Sequence, residues 1–227
     1  IYGPSIPIMF GLESSRPKVV EREGKHKIIP IEKFGVKALS IGFLVATPQA
    51  VVWRGPMVSS AIRQFVTDVE WGELDYLLID LPPGTGDIHL SIISMAKPTA
   101  AVIVSTPQDV ALADARKGID MFINPKVGVP VLGIVENMSF FTPQDDPSKK
   151  YYIFGEGGGK RIAEEFGIPL LGELPIIAEV REGGDEGMPI VTQGDYGVAS
   201  AYFSVADEVA RHIAIKNGEE AIVESVE

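Results

Sequence analysis

"YLLIDLPPGTGD", residues 76–87, is the stretch on which the fold turns. An apolar run ends at Asp80 and Leu81, and two prolines and two glycines then turn the chain away. A short continuous apolar run bounded by turn residues fits a strand covered on both faces, as in a parallel sheet. In open α/β sheets, ligands lie beyond the carboxyl ends of the strands, and Asp80 stands at such an end.

The same alternation extends outward from this stretch. Val58, Ile62, Phe65, Val66 and Val69 recur at helical spacing and predict a helix over 57–71. Beyond the motif, the pattern predicts a helix over 86–96, a strand over 100–106, and a helix over 109–122 with Asp109 placed to cap its amino end. A buried strand over 129–138, a helix over 157–167 closing on Gly167, a short strand over 169–175 and an amphipathic helix over 197–218 complete it. Residues 36–45 are also β-rich. The expected fold is α/β: a doubly wound, mainly parallel sheet with helices on both faces. One domain is expected over 1–215, with an acidic tail over 216–227, while 11–35 and 139–154 are too long for simple connections.

Composition narrows the function classes. The 227 residues are 45% apolar and 22% charged, enough for one sizeable core. The net charge of −11 and the lack of a basic stripe argue against a nucleic-acid partner. No apolar run is long enough to span a bilayer, and the amino end has no signal pattern, so no membrane partner and a cytoplasmic location are expected. Cysteine is absent, which excludes disulfides and thiolate ligation within these residues. His26, His89 and His212 have no metal-ligand spacing and read as structural or solvated. The sequence opens at Ile1 with no element before "IYGPSIPIMFGL", so a missing amino-terminal portion is expected.

Asp80 suits a Mg²⁺ site that works through bound water, because Mg²⁺ retains most of its hydration and takes few carboxylates. Gly84, four residues on, lets its backbone N–H approach a γ-phosphate closely. The bare D-x-x-x-G spacing fits equally well an acid that ends a strand before a Pro-Gly turn. A partner phosphate cradle, G-x-x-x-x-G-K-[ST], is not found in these residues. "GEGGGK" (155–160) looks like one, but only three residues separate Gly155 from Gly159, and Arg161 stands where Ser or Thr should be.

Beyond these readings, "IYGPSIP", "WRGPMV", "RQF", "DVEWGELDYLLIDLPPGTGD", "STPQDVALAD", "GIVENMS", "IFGEGGG" and "REGGDEG", in this order, resemble the Mrp/ApbC-type iron–sulfur cluster carriers. These are MinD-like deviant P-loop ATPases, and the resemblance runs from Ile1 to about Val209. It implies ATP and Mg²⁺ as cofactors, a homodimer, and a cluster delivered to apoprotein clients. It makes Asp80 and Gly84 the catalytic pair, with Pro83, Gly84, Thr85 and Gly86 facing the nucleotide and Asn137 reading adenine through its amide. Thr106–Asp109 borders that site, Asp87 either caps a helix or serves the chemistry, and the Trp53, Arg54 and Met57 region faces the partner subunit.

Two departures qualify the resemblance. The family's P-loop and its lysines precede "IYGPSIP", and these residues do not contain them, so the chain alone is expected to be inactive as an ATPase. The family's Cys-Pro-x-Cys after "ENMS" is replaced by "SFFTPQDDPSKKYYIFG" (139–155), whose Asp145 and Asp146 are hard ligands unsuited to a cluster. No iron–sulfur ligands are assigned, and a cluster enters by resemblance only. A non-catalytic binding or scaffold protein of the same fold is the alternative.

Overall fold

The computed structural model describes residues 5–44 and 55–224. Trp53 and Arg54, expected to face a partner, lie outside the described residues. The chain divides into two compact units, Ile1–Lys97 with Glu179–Gln193, and Pro98–Ala178 with Gly194–Glu227.

In the first unit, helix α1 (Ser5–Met9) leads to β1 (Lys18–Arg22) and β2 (Lys25–Ile29), then β3 (Ile31–Lys33) and β4 (Val36–Ala38). Both pairs are antiparallel hairpins. Glu23 and Gly24 turn the first at φ 52° and 72°, and Phe34 and Gly35 turn the second at φ 55° and 75°. Two consecutive positive φ values give the two-residue turn whose twist matches that of the strands it joins. The expectation of irregular chain over 11–35 is thereby corrected. The single β-rich run over 36–45 is instead β4 followed by a 3-10 turn at Ile41–Phe43.

Helix α2 (Gly55–Thr67) buries Ile62 and Phe65 as its spacing predicts. Val69 falls beyond the helix and bridges Ile28 in parallel, with Ile28 N donating to Asp68 O and Glu70 N donating to Ile28 O. Helix α3 (Asp87–Ala96) packs Ile92 on Ile62, with Ile79, Leu81 and Ile88 around them.

The expected strand over 76–81 is not a strand among the described residues. Its backbone alternates as one would, Ile79 and Leu81 facing the α2–α3 core while Leu78 is 87% exposed. Among the described residues no neighbour forms a ladder with it, and a strand exists only through the bonds of a ladder.

The second unit is built on a parallel sheet in the order β5 (Ala101–Ser105), β6 (Val131–Glu136), β7 (Leu170–Glu173). Helix α4 (Asp109–Ile123) joins the first two strands, α5 (Gly158–Phe166) precedes the third, and α7 runs over Tyr196–Glu224. Side chains alternate across a strand, so one strand serves two layers. Val102, Val135 and Leu171 face Tyr202 and Val205 of α7. Their sequence neighbours Ile103, Glu136 and Leu170 approach Gly118 of α4 or Gly159 of α5. Helices therefore cover both faces of a parallel sheet, and the α/β expectation holds. The short helix α6 (Ala178–Asp185) begins at the junction of the two units. No helix among the described residues is long and apolar enough to cross a membrane.

Candidate functional site

The motif residues of the first unit form an open loop. Asp80 is exposed, Leu81 and Pro82 are half-buried, and Pro83, Gly84, Thr85 and Gly86 are exposed. Gly84 has φ 98°, a backbone state that L side chains rarely adopt. A Cβ built at Gly84 or at Gly86 meets nothing within 4 Å. Glycine at 84 thus answers to its dihedral angle and not to crowding at its Cβ position. The loop runs straight into α3, whose N-cap is Gly86 without a side-chain cap.

Asp87 is therefore the first helical residue, where a carboxylate favours the positive end of the helix dipole without capping it. His89, third in the helix, is buried with Nε2 2.8 Å from the Pro82 carbonyl oxygen. Hard oxygen from Asp80 and the amides of an exposed loop ahead of a helix N-terminus are a donor set that fits Mg²⁺ and phosphate.

The second unit holds the other predicted residues. Asn137 follows β6 directly, half-buried, with its N–H donating to Ser105 O at 2.7 Å and its Oδ1 accepting from Met138 N at 2.9 Å. Met138 is held at φ 54°. Its Nδ2 donors and second Oδ1 lone pair are what Asn137 can offer a base edge. Asp109 does not cap α4: the N-cap is Gln108, and the Asp109 carboxylate is 97% exposed, 3.4 Å from Arg161 Nη2.

The segment in place of the cysteine motif is ordered by its own aromatics. Phe141 and Tyr151 exchange backbone bonds at 2.9 and 2.8 Å, Ile176 N donates to Phe140 O, and Tyr152 lies edge-on to Phe140. Lys150 Nζ sits 3.8 Å from the Phe140 ring centroid. Lys149 and then Ser148 hold the Asp146 carboxyl below its ordinary value. No group of three or more His, Asp or Glu placed to hold a metal occurs among the described residues.

One residue that carries this geometry was not picked out from the sequence. Glu136, at the end of β6, is 1% exposed, and its carboxylate accepts from Ser139 Oγ and from Gly159 N, both at 2.5 Å. It closes the amino end of α5 from another element and ties down the start of the 139–155 segment. Gly159 has no room for a side chain, since a Cβ would lie 3.0 Å from Glu136 Cβ. At Gly158 a Cβ would lie 2.7 Å from Pro107 Cα. In "GEGGGK", Gly158 and Gly159 thus serve close packing, while Gly155 and Gly157 hold positive φ values of 103° and 64°. The available signal was an acid ending an otherwise apolar strand run.

The family model described as ParA, NUBPL iron-transfer P-loop NTPase, matches residues 1–210. The chain belongs to this family. Within it, the chain is 45% identical over 216 residues to an iron–sulfur cluster carrier protein of Synechocystis, covering 95% of this chain and 61% of that protein. It is 48% identical over 214 residues to the Arabidopsis thaliana iron–sulfur protein required for NADH dehydrogenase, mitochondrial, covering 93% and 66%. The chain thus spans less than two thirds of the length of these relatives. Among solved structures, a nucleotide-binding protein from Archaeoglobus fulgidus in complex with ADP is 40% identical, with TM-score 0.67 over 82% of this chain and 70% of that one. That match supports the fold.

Proposed function

We propose that the chain is part of a nucleotide-dependent iron–sulfur cluster carrier that delivers clusters to apoprotein clients as a cytoplasmic homodimer. The observation that carries the nucleotide half is the Asp80–Gly86 loop: an exposed acid, Gly84 at φ 98° without crowding at its Cβ position, and a helix N-terminus directly behind. In this reading Asp80 holds a water of Mg²⁺, and Gly84 offers its N–H to the terminal phosphate. Pro83, Thr85 and Gly86 shape the loop around the phosphates, and Asn137 reads the adenine edge. Bound Mg²⁺ supplies charge neutralisation on the phosphates. The other residues position and orient.

These 227 residues hold no lysine-bearing phosphate cradle, so on their own they do not hydrolyse ATP. The cluster is cargo, and its thiolate ligands are not supplied by this chain, which has no cysteine. The same absence of thiols favours a second reading, a non-catalytic scaffold of this fold that handles no cluster.

Steady-state phosphate release tests the first reading. The unmodified chain is expected to show none, and a parent carrying an upstream cradle is expected to lose turnover with Asp80→Asn while keeping its fold. Mg²⁺-dependent ATPase in the unmodified chain, abolished by Asp80→Asn, would overturn the inactivity. Parental turnover in the Asp80→Asn parent would remove Asp80 from the metal site.

A further inference from the structure

We infer that His89 is a positioning residue that braces the Asp80–Gly86 loop from both ends. The inference rests on the proposed reading of Asp80 and Gly84 as nucleotide-facing. His89 is the third residue of α3 and is 4% exposed. Its backbone N–H donates to Gly86 O at 3.0 Å, and its ring Nε2 lies 2.8 Å from Pro82 O. One residue therefore grips the loop on either side of Gly84.

A carbonyl oxygen can only accept, so Nε2 carries the proton. In the neutral ring Nδ1 is then a bare lone pair, and among the described residues Nδ1 is buried without a hydrogen-bond partner. An unmet buried acceptor destabilises the fold, and an apolar side chain at this position of an apolar helix face would avoid it. Histidine keeps that cost and gains one bond, to the carbonyl in the middle of "DLPPGTGD". The bond acts on an exposed stretch: Pro83 to Gly86 are exposed, and a Cβ built at Gly84 or Gly86 meets nothing within 4 Å. The brace fixes the direction of the Gly84 N–H before a phosphate arrives, so less ordering is needed on binding.

Hydrogen exchange of the residue-89 amide, whose bond to Gly86 O closes the loop, followed by NMR without nucleotide and corrected for the intrinsic rate of each side chain, tests the brace in the unmodified chain, His89→Leu and His89→Gln. Loss of one neutral hydrogen bond should raise exchange of that amide in His89→Leu by about five- to tenfold, with exchange across Ile62–Phe65 of α2 unchanged. His89→Gln, whose amide nitrogen can stand near the place of Nε2, should restore protection. His89→Met removes the donor with a more adaptable side chain and serves if the Leu variant does not fold.

Calorimetry with Mg·ADP forms the second arm, and affinity is expected to fall in the donor-less variant and recover in His89→Gln. Unchanged exchange of the residue-89 amide in the donor-less variant would overturn the brace, as would equal rises at that amide and in α2, or a folded His89→Gln without rescue. If Mg·ADP does not bind the unmodified chain, the nucleotide reading fails for this chain, and the exchange arm still decides the role of His89.

Discussion

Replacing Glu136 by alanine removes the acceptor of the Gly159 N–H and the nearer acceptor of the Ser139 hydroxyl, which keeps Glu173 Oε1 at 3.3 Å. Gly159 N–H and the Ser139 hydroxyl each lie 2.5 Å from the carboxylate, which is 1% exposed, so water does not take its place without rearrangement. An unsatisfied buried donor costs about 1–3 kcal/mol. The amino end of α5 also loses an anion, worth about 0.3–1 kcal/mol. With Gly159 N–H the donor left unmet, these give a loss of about 1–4 kcal/mol, against the roughly 5–15 kcal/mol that holds a typical domain.

Glu136→Gln keeps the shape and one carbonyl oxygen. Its amide group must face either Gly159 N–H, a second donor, or Ser139 Oγ, which can rotate to accept. A smaller loss of about 1–2 kcal/mol is expected, the cost of replacing a charge-assisted bond by a neutral one. Urea titration by far-UV circular dichroism measures the ranking, and hydrogen exchange at Gly159 locates it. An alanine variant within about 1 kcal/mol of the unmodified chain, or equal protection of the Gly159 amide, would refute the reasoning.

Three further predictions follow from neighbouring geometry. Gly158→Ala places a Cβ 2.7 Å from Pro107 Cα and 2.8 Å from Pro107 O, backbone atoms that yield little, and should cost about 2–3 kcal/mol. Gly84→Ala meets nothing and should cost only about 1–2 kcal/mol for its φ of 98°. Paired thermal melts check that order, and the reverse order would contradict the packing role of Gly158. Anaerobic reconstitution with iron and sulfide should yield no stoichiometric cluster in the unmodified chain, while Thr142→Cys with Asp145→Cys should gain a charge-transfer absorption band. A cluster that survives gel filtration in the unmodified chain would defeat the ligand argument. The Arg116 side-chain bond holds the Glu165 carboxyl below its ordinary value, between α5 and α4. A depressed carboxylate contributes stability above its unfolded value and loses it as pH falls through the folded one, and NMR titration should show the Glu165 midpoint rising in Arg116→Met. An unmoved midpoint would show that the pair does not form in solution.

Most of the second unit was legible as sequence. Its strands and helices appeared as runs and periods: Ala101–Ser105 within 100–106, Asp109–Ile123 against 109–122, and Gly158–Phe166 within 157–167, with Gly167 closing the helix at φ 65°. The two hairpins of the first unit were overlooked although their signals were present. Glu23-Gly24 and Phe34-Gly35 are two-residue turns, each between short strands whose charged residues mask the alternation. The candidate loop was legible because its content is compositional: an acid, two prolines and two glycines in a fixed order.

Local period, turn chemistry, the missing thiols and the family motifs belong to the sequence alone, because each is a property of one segment compared with itself. The tertiary structure decided what depends on distant partners. "YLLIDL" has the composition of a buried strand, yet no ladder forms on it among the described residues and Leu78 is 87% exposed. Glu136 reads as one more charge until β6 and α5 meet and bury its carboxylate against an amide 23 residues away. His89 is one of three scattered histidines until the loop folds back and sets Pro82 O against its ring. Burial and hydrogen-bond partnership arise between segments, and no spacing within a segment encodes them.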